Sequence, residues 1–103
     1  MDYITIKVPN MNDSVSRIKL RGKRYHLRFT YNDTMDYWSF GLYTPLDEPI
    51  IQGVKIVPGI PLNAFYSTDR LPRGYFFAET NNDRIGRDDF HTGKAFFAFA
   101  PYQ

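Results

Sequence analysis

The sequence predicts an all-β fold, a single small antiparallel β-barrel or sandwich of about seven short strands. Three observations support this prediction. Apolar and polar residues alternate at period two in several segments, Gly, Pro and Asn-Asp turns interrupt the alternation at short intervals, and no long window has the spacing of an amphipathic helix. The chain has 103 residues, enough for one domain over 1–103, and its aromatic share of 17% is that of an ordered protein.

The first part of the chain predicts an opening strand and a β-hairpin. Tyr3–Val8 is a β-branched run that stops at Pro9. Apolar residues then alternate on both sides of Arg21-Gly22, which predicts a tight two-residue turn between two paired strands. The pairs expected across this hairpin are Ile18 with Tyr25 on the inner side, and Lys19 with Arg24 and Arg17 with His26 on the outer side.

The middle of the chain predicts a strand that begins with the only tryptophan. Asn32-Asp33 has turn chemistry, and Trp38, Phe40 and Leu42 then alternate along one face. Gly53 interrupts the next apolar run, which indicates a bulge or a bend.

The last part of the chain predicts two further strands and one long loop. Asn63–Leu71, before Pro72 and Gly74, could form a short helical turn or an irregular strand, and the irregular form is favoured. Tyr75–Thr80 and Lys94–Ala100 have strand composition. The polar segment Asn81–Gly93 separates them and is expected to be the most exposed element.

Composition excludes several classes of function. With no cysteine, the chain cannot form disulfides, thiolate zinc sites or cysteine nucleophiles. A formal net charge of +2 does not by itself indicate a polyanionic partner. The N-terminus does not resemble a cleaved signal, and no apolar run reaches the length of a membrane span, so neither export by a signal nor a membrane location is expected.

Six basic residues are concentrated in the hairpin: Arg17, Lys19, Arg21, Lys23, Arg24 and Arg28. Alternation directs most of them to the outer face, which calls for water, a neighbouring acidic strand or an anionic partner. An OB-like module for single-stranded nucleic acid would place stacking rings on the same face. Here the rings alternate onto the opposite face, which favours a solvated or protein-facing surface over nucleic acid, and the nucleic-acid module is the alternative hypothesis.

No residue pattern indicates an enzyme or a cofactor. His26, His91 and the pair Asp88-Asp89 are too few and too dispersed for a metal or acid–base site. The serines lack a Gly-x-Ser-x-Gly sequence, and the glycines form no phosphate-binding run. Trp38 could serve a carbohydrate-binding groove, but a core position is favoured because a small domain without cysteine depends on buried rings. We therefore expect no catalytic, metal or cofactor-binding residues.

Two segments are the candidate contact surfaces of this non-enzymatic domain. One is the outer face of the hairpin, and the other is the long loop before the last strand. The candidate interaction residues are Arg17, Lys19, Arg24, Arg28, Arg84, Arg87 and Phe90.

The order of residues in the central segment also carries a family resemblance. The residues concerned are Leu20, Gly22, Tyr25, Leu27, Tyr31-Asn32, Trp38, Phe40, Leu42, Gly53, Val54, Val57 and Leu62. Over Ile18 to Gly74 the chain resembles the baseplate plug-like family of small bacteriophage tail proteins, named from a cyanophage baseplate. It departs from the family pattern at Leu46–Ile50, where a glycine-bearing turn would be expected, and nothing beyond Arg84 is recognisable.

The resemblance implies a structural component of a phage or prophage tail baseplate, associated with the plug or hub. Its implied partners are hub and tail-tube proteins, and it implies a homo-oligomer or ring on assembly. The implied location is the virion tail, after synthesis in the bacterial host cytoplasm. The structural positions carried over are Gly22 as a turn, Trp38, Phe40 and Leu42 as core, and Gly53 as a bend.

Overall fold

The structure, a computed structural model, describes residues 2–102 and contains two antiparallel sheets. The elements in chain order are β1 (Ile4–Ile6), β2 (Asp13–Leu20), β3 (Lys23–Asn32), β4 (Tyr37–Tyr43), β5 (Pro49–Lys55), β6 (Gly74–Thr80), the short helix α1 (Asp89–Thr92) and β7 (Ala95–Pro101). One sheet has the order β2-β3-β4-β5 and the other β1-β7-β6. The all-β prediction is confirmed, and of the two predicted architectures the described residues form a sandwich and no closed barrel.

The hairpin of β2 and β3 has the predicted register. Arg21 and Gly22 both have positive φ, 50° and 83°, which is the backbone of a type I′ turn. Glycine suits the second position because it has no Cβ to clash in this conformation. The three predicted pairs, Ile18 with Tyr25, Lys19 with Arg24 and Arg17 with His26, are all present.

The pairing of β4 with β5 contains a bulge. Phe40 pairs with Val54 and Leu42 pairs with Ile51, so two residues of β5 oppose Gly41. One of them is Gly53, with φ of 65°. The bend therefore allows Val54 and Ile51, on either side of it, to be buried although they are three positions apart.

The core between the two sheets consists mainly of aromatic rings. Phe40 packs against Phe76 and Phe97, with ring centroids 5.4 Å and 5.1 Å apart, and Phe29 meets Phe97 edge-on at 5.0 Å. All four rings are almost fully buried. Such rings bury large apolar areas and add about 1 kcal/mol per well-oriented pair, which provides the core that a cysteine-free chain of this size needs.

The segment after β5 covers the edge of β6 without forming a strand. The buried side chain of Asn63 donates to Gly74 O at 3.0 Å and accepts from Phe76 N–H at 2.8 Å. Leu62 N–H donates to Phe76 O at 2.8 Å. The backbone of Gly74 lies so close to Phe99 that a Cβ there would meet the ring at 2.4 Å. A glycine and an amide side chain thus allow an irregular segment to close this edge of the sheet.

Two predictions differ from the structure, one about the extent of the first strand and one about the exposure of the long loop. The first strand pairs with β7 only over Ile4–Ile6, although Val8 is still buried. The alternation in Tyr3–Val8 thus reflects burial, which extends to Val8, whereas the pairing with β7 ends at Ile6. The loop 81–93 is less exposed than expected, because Ile85 is buried in the core and the loop contains α1.

Candidate interaction surface

The outer face of the hairpin presents free positive charges. Arg17 and Lys19 on β2 and Arg24 on β3 are exposed, and their register brings Lys19 directly opposite Arg24. Across residues 2–102 no carboxylate forms an ion pair with any of the three. Since like charges opposite each other are destabilising, this part of the face is suited to water or to an anionic partner.

Arg28 is engaged within the chain and is not one of the free charges. Its Nε and one terminal nitrogen (Nη2) donate to the two carboxylate oxygens of Asp13 at 2.8 Å and 2.7 Å. These hydrogen bonds lower the pKa of Asp13 and raise that of Arg28. The sequence pattern allowed a neighbouring acidic strand as the partner of these charges. For Arg28 the acidic residue is Asp13, at the start of β2, the strand that pairs with β3.

Other polar contacts cover the middle of the same face. His26 Nδ1 lies 2.6 Å from Asp47 Oδ1. The ring of Tyr43 folds over Gly41, where an added Cβ would lie 3.0 Å from the ring. The outer face is therefore partly closed by its own side chains near β4 and is open toward β2.

The predicted surface on the loop 81–93 is held against the rest of the molecule. Arg84 forms an ion pair with Asp36 at 2.7 Å. Phe90 packs edge-on against Trp38, with centroids 5.8 Å apart, and is partly buried. Ile85 anchors the same loop in the core.

Arg87 fixes this loop through several contacts at once. Its guanidinium carbon lies 5.3 Å from the ring centroid of Trp38 and 5.8 Å from that of Tyr31. Its nitrogens donate to the side-chain oxygens of Asn12 and Asn10 at 2.6 Å and 3.0 Å. Arg87 thus joins the loop to β3, β4 and the segment before β2, which gives it an internal structural contact.

The structural positions named from the sequence occupy the turn, the core and the bulge. Gly22 lies in the type I′ turn and Gly53 in the bulge of β5. Trp38, Phe40 and Leu42 are each no more than 1% exposed. Trp38 also donates its indole N–H to Gly86 O at 3.3 Å. A ring buried in this way cannot form a carbohydrate platform.

The sequence interpretation missed an exposed aromatic pair. Phe65 is 92% exposed and Tyr66 is also exposed, in the irregular segment that covers β6. The available signal was the sequence Asn63-Ala64-Phe65-Tyr66, in which aromatic residues follow a turn-forming residue outside any strand pattern. These rings form a second exposed patch on the molecule.

The described residues do not bring together a metal-binding group. Within 2–102 no three His, Cys, Asp or Glu side chains converge on a position that could hold a metal. His91 lies 3.7 Å from Asp88, and Asp89 accepts instead from Gly86 N–H at 2.7 Å. A helix with the length and hydropathy needed to cross a membrane is not found in this range.

The fold and the surface define a small all-β sandwich in which the loop 81–93 packs against the sheets and the edge strand β2 is basic. A family model described as cyanophage baseplate Pam3 plug gp18 matches residues 1–101. The chain therefore belongs to this family of phage baseplate plug proteins, and the match extends well beyond the central segment that carries the resemblance in the sequence. No curated protein matches the chain.

Proposed function

We propose that this protein is a structural, non-enzymatic component of a phage or prophage tail baseplate, which acts through protein–protein contacts during tail assembly. The observation that carries the proposal is the family match over residues 1–101. We further propose a position at the plug or hub, contacts with hub or tail-tube proteins, and several copies in a ring. Synthesis in the host cytoplasm would precede incorporation into the tail.

The architecture supports a structural role. The core is dense in aromatic rings, and the loop 81–93, which could have been a mobile functional loop, is fastened by Arg87 and Ile85. The exposed surface includes a basic strand edge and the pair Phe65 and Tyr66. Aromatic and arginine side chains of this kind are enriched in protein interfaces.

The nucleic-acid alternative gains less support from the structure. The hairpin rings that would have to stack on bases, Tyr25 and Phe29, are buried in the core. The exposed face of the hairpin therefore offers positive charge without the stacking platform of an OB-like module.

The proposal is tested by locating the protein in purified virions. Mass spectrometry and cryo-EM of tails should find the chain in the baseplate, and a deletion of its gene should give particles with defective tails. A plasmid copy of the wild-type gene serves as the control by restoring the tails. Finding intact, infectious tails that lack the protein would overturn the proposal.

A further inference from the structure

The four outer strands of the two sheets are protected very unequally. β1 is three residues long, β5 begins at Pro49 and contains the bulge at Gly53, and β6 is covered by Leu62 and Asn63. Short strands, proline, bulges and covering segments are the usual ways to keep a sheet edge from pairing with another chain. Three of the four edges therefore carry a feature that disfavours the addition of another strand.

The fourth edge, β2, has no proline, bulge or covering segment, and its only protection is charge. Arg17 and Lys19 are exposed along it, and such charges repel a basic strand but attract an acidic one. The strand β2 runs for eight residues without proline and pairs with β3 in unbroken register. Within residues 2–102 β3 is the only strand or helix in backbone contact with it. Val15, near the middle of the outer face, is 61% exposed. The edge is thus long, unbroken and accessible.

The register identifies which backbone groups are free. Tyr31 N–H donates to Asn12 O at 2.8 Å, so this pair is of the hydrogen-bonded type. Pairs along an antiparallel ladder alternate between hydrogen-bonded and non-hydrogen-bonded types. The N–H and C=O groups of Val15, Arg17 and Lys19 therefore point away from β3 toward the open edge.

The same alternate residues carry the charges. The side chains of Arg17 and Lys19 lie on the outer face, while Ile18 between them is half-buried on the inner face. A strand hydrogen-bonded to this edge would place alternate side chains beside Arg17 and Lys19 and the intervening one beside Ile18. The matching sequence is acidic, apolar, acidic.

We propose that the edge of β2 binds an extended segment of another protein, which adds a fifth strand to the sheet and carries acidic residues at alternate positions. Backbone hydrogen bonds supply the affinity, and the pairing of carboxylates with Arg17 and Lys19 supplies the selection. The identification of the partner as a baseplate protein rests on the proposed function. The chemistry of the bound segment rests on the edge alone.

A second copy of the chain is a poorer occupant. In a two-fold antiparallel pairing of two β2 strands, the outer faces of both copies lie on the same side. Arg17 and Lys19 of each copy would then share one small area, and like charges placed across strands are destabilising. Asp13 does not offset them, because its carboxylate is already bound to Arg28.

The sharpest test is Val15→Pro compared with Val15→Thr. The N–H of Val15 faces the open edge, so proline removes a docking donor without removing a bond to β3, and proline is tolerated at such edge positions. We expect V15P to enter tails about tenfold less than V15T, which corresponds to a loss of about 1.4 kcal/mol in binding. Equal incorporation of the two folded variants would overturn the proposal.

A second pair of variants tests the charges and does not depend on proline. R17E/K19E reverses the edge charges, and K7E/K94E makes the same change in net charge on exposed residues that adjoin β1 and β7 in the other sheet. We expect only R17E/K19E to lose incorporation. If V15P fails to fold, as judged by circular dichroism, this pair decides the question, and an equal effect of the two double variants would contradict the proposal.

A measurement on the isolated chain separates this proposal from the proposed function. The probe is a synthetic peptide of alternating glutamate and valine, with a lysine–valine peptide as control. In NMR titrations the acidic peptide should shift and protect the amides of Val15, Arg17 and Lys19, and the lysine peptide should not. No shift, an equal response to both peptides, or occupation of the edge by a second copy would overturn the edge assignment. Absence of the wild type from tails would overturn only the function.

Discussion

Ser14 is a residue whose buried polar atom has no partner in the described part of the chain. Its side-chain oxygen is enclosed on the inner face of β2. Burying a hydroxyl without a hydrogen bond is unfavourable. Asn63, the other buried polar residue, shows the contrast, because its amide satisfies two backbone groups of β6.

Replacing Ser14 with alanine should therefore stabilise the protein. We expect Ser14→Ala to raise the free energy of unfolding by about 1 kcal/mol, since the unpaired hydroxyl is removed. Urea denaturation measures this change. Ser16→Ala on the same strand is the matched control. Ser16 is only half-buried, so this substitution should change the free energy of unfolding little. A lower stability of the Ser14 variant would contradict the reasoning.

Side-chain roles were predictable where a residue's own strand determines them. The alternation of Trp38, Phe40 and Leu42 predicts their shared face, and all three are buried in the core. The pairing of Arg28 with Asp13 was not predictable in the same way, because it depends on how far β2 extends toward its N-terminus. Arg84 and Arg87 likewise receive their partners from segments distant in sequence.

At the scale of elements, local patterns predicted the hairpin well and the long loop poorly. Both partners of the β2 and β3 pairing are adjacent in sequence, so the type I′ turn at Arg21-Gly22 fixes the register. The loop 81–93 has polar composition, but Ile85 and Arg87 dock it onto β3 and β4. Composition alone cannot reveal a docking site on another element.

The contacts of Arg87 predict that it holds the loop in place. We expect Arg87→Ala to lower the free energy of unfolding by about 2 kcal/mol, combining charge-assisted hydrogen bonds with a partly buried cation–π contact. Hydrogen exchange in residues 81–93 should accelerate. The control is Arg84→Ala, whose ion pair with Asp36 is more than half exposed and should contribute at most about 1 kcal/mol. Equal effects of the two substitutions would contradict this interpretation.

For the whole molecule, the sequence predicted the all-β class and the approximate number of strands, and it left barrel and sandwich open. The choice depends on long-range pairing, such as β1 with β7, that periodicity does not encode. The exposure of the candidate interaction residues was predicted in part for the same reason. Arg17, Lys19 and Arg24 are exposed, whereas the partners of Arg84 and Arg87 required the assembled fold.

Acid should weaken the folded state through two aspartates. The hydrogen bond from Arg28 lowers the pKa of Asp13, and the hydrogen bond from Tyr31, followed by that from Arg84, lowers the pKa of Asp36. A carboxyl group with a lowered pKa in the folded state stabilises that state above about pH 4, the ordinary aspartate value. This contribution is lost as the pH falls further, through the lowered folded-state pKa values. Both groups are exposed, so the effect is modest.

Thermal unfolding of the wild type and Asp13→Asn between pH 7 and pH 2 measures this contribution. We expect the variant to be less stable at neutral pH and the difference to shrink as the solution is acidified below about pH 4. Asp69→Asn, in an exposed loop, is the control and should show no such convergence. A constant difference between wild type and Asp13→Asn over the whole range would show that the carboxylate charge is not responsible.

The unequal protection of the strand edges has a consequence for the size that an assembly can reach. A unit that can pair through a single edge has a valence of one for strand addition, so it can terminate a sheet but cannot link two neighbours into a fibre. In the proposed ring, copies would then meet through side-chain surfaces such as Phe65 and Tyr66. Growth by strand pairing would stop after one partner, at a fixed stoichiometry.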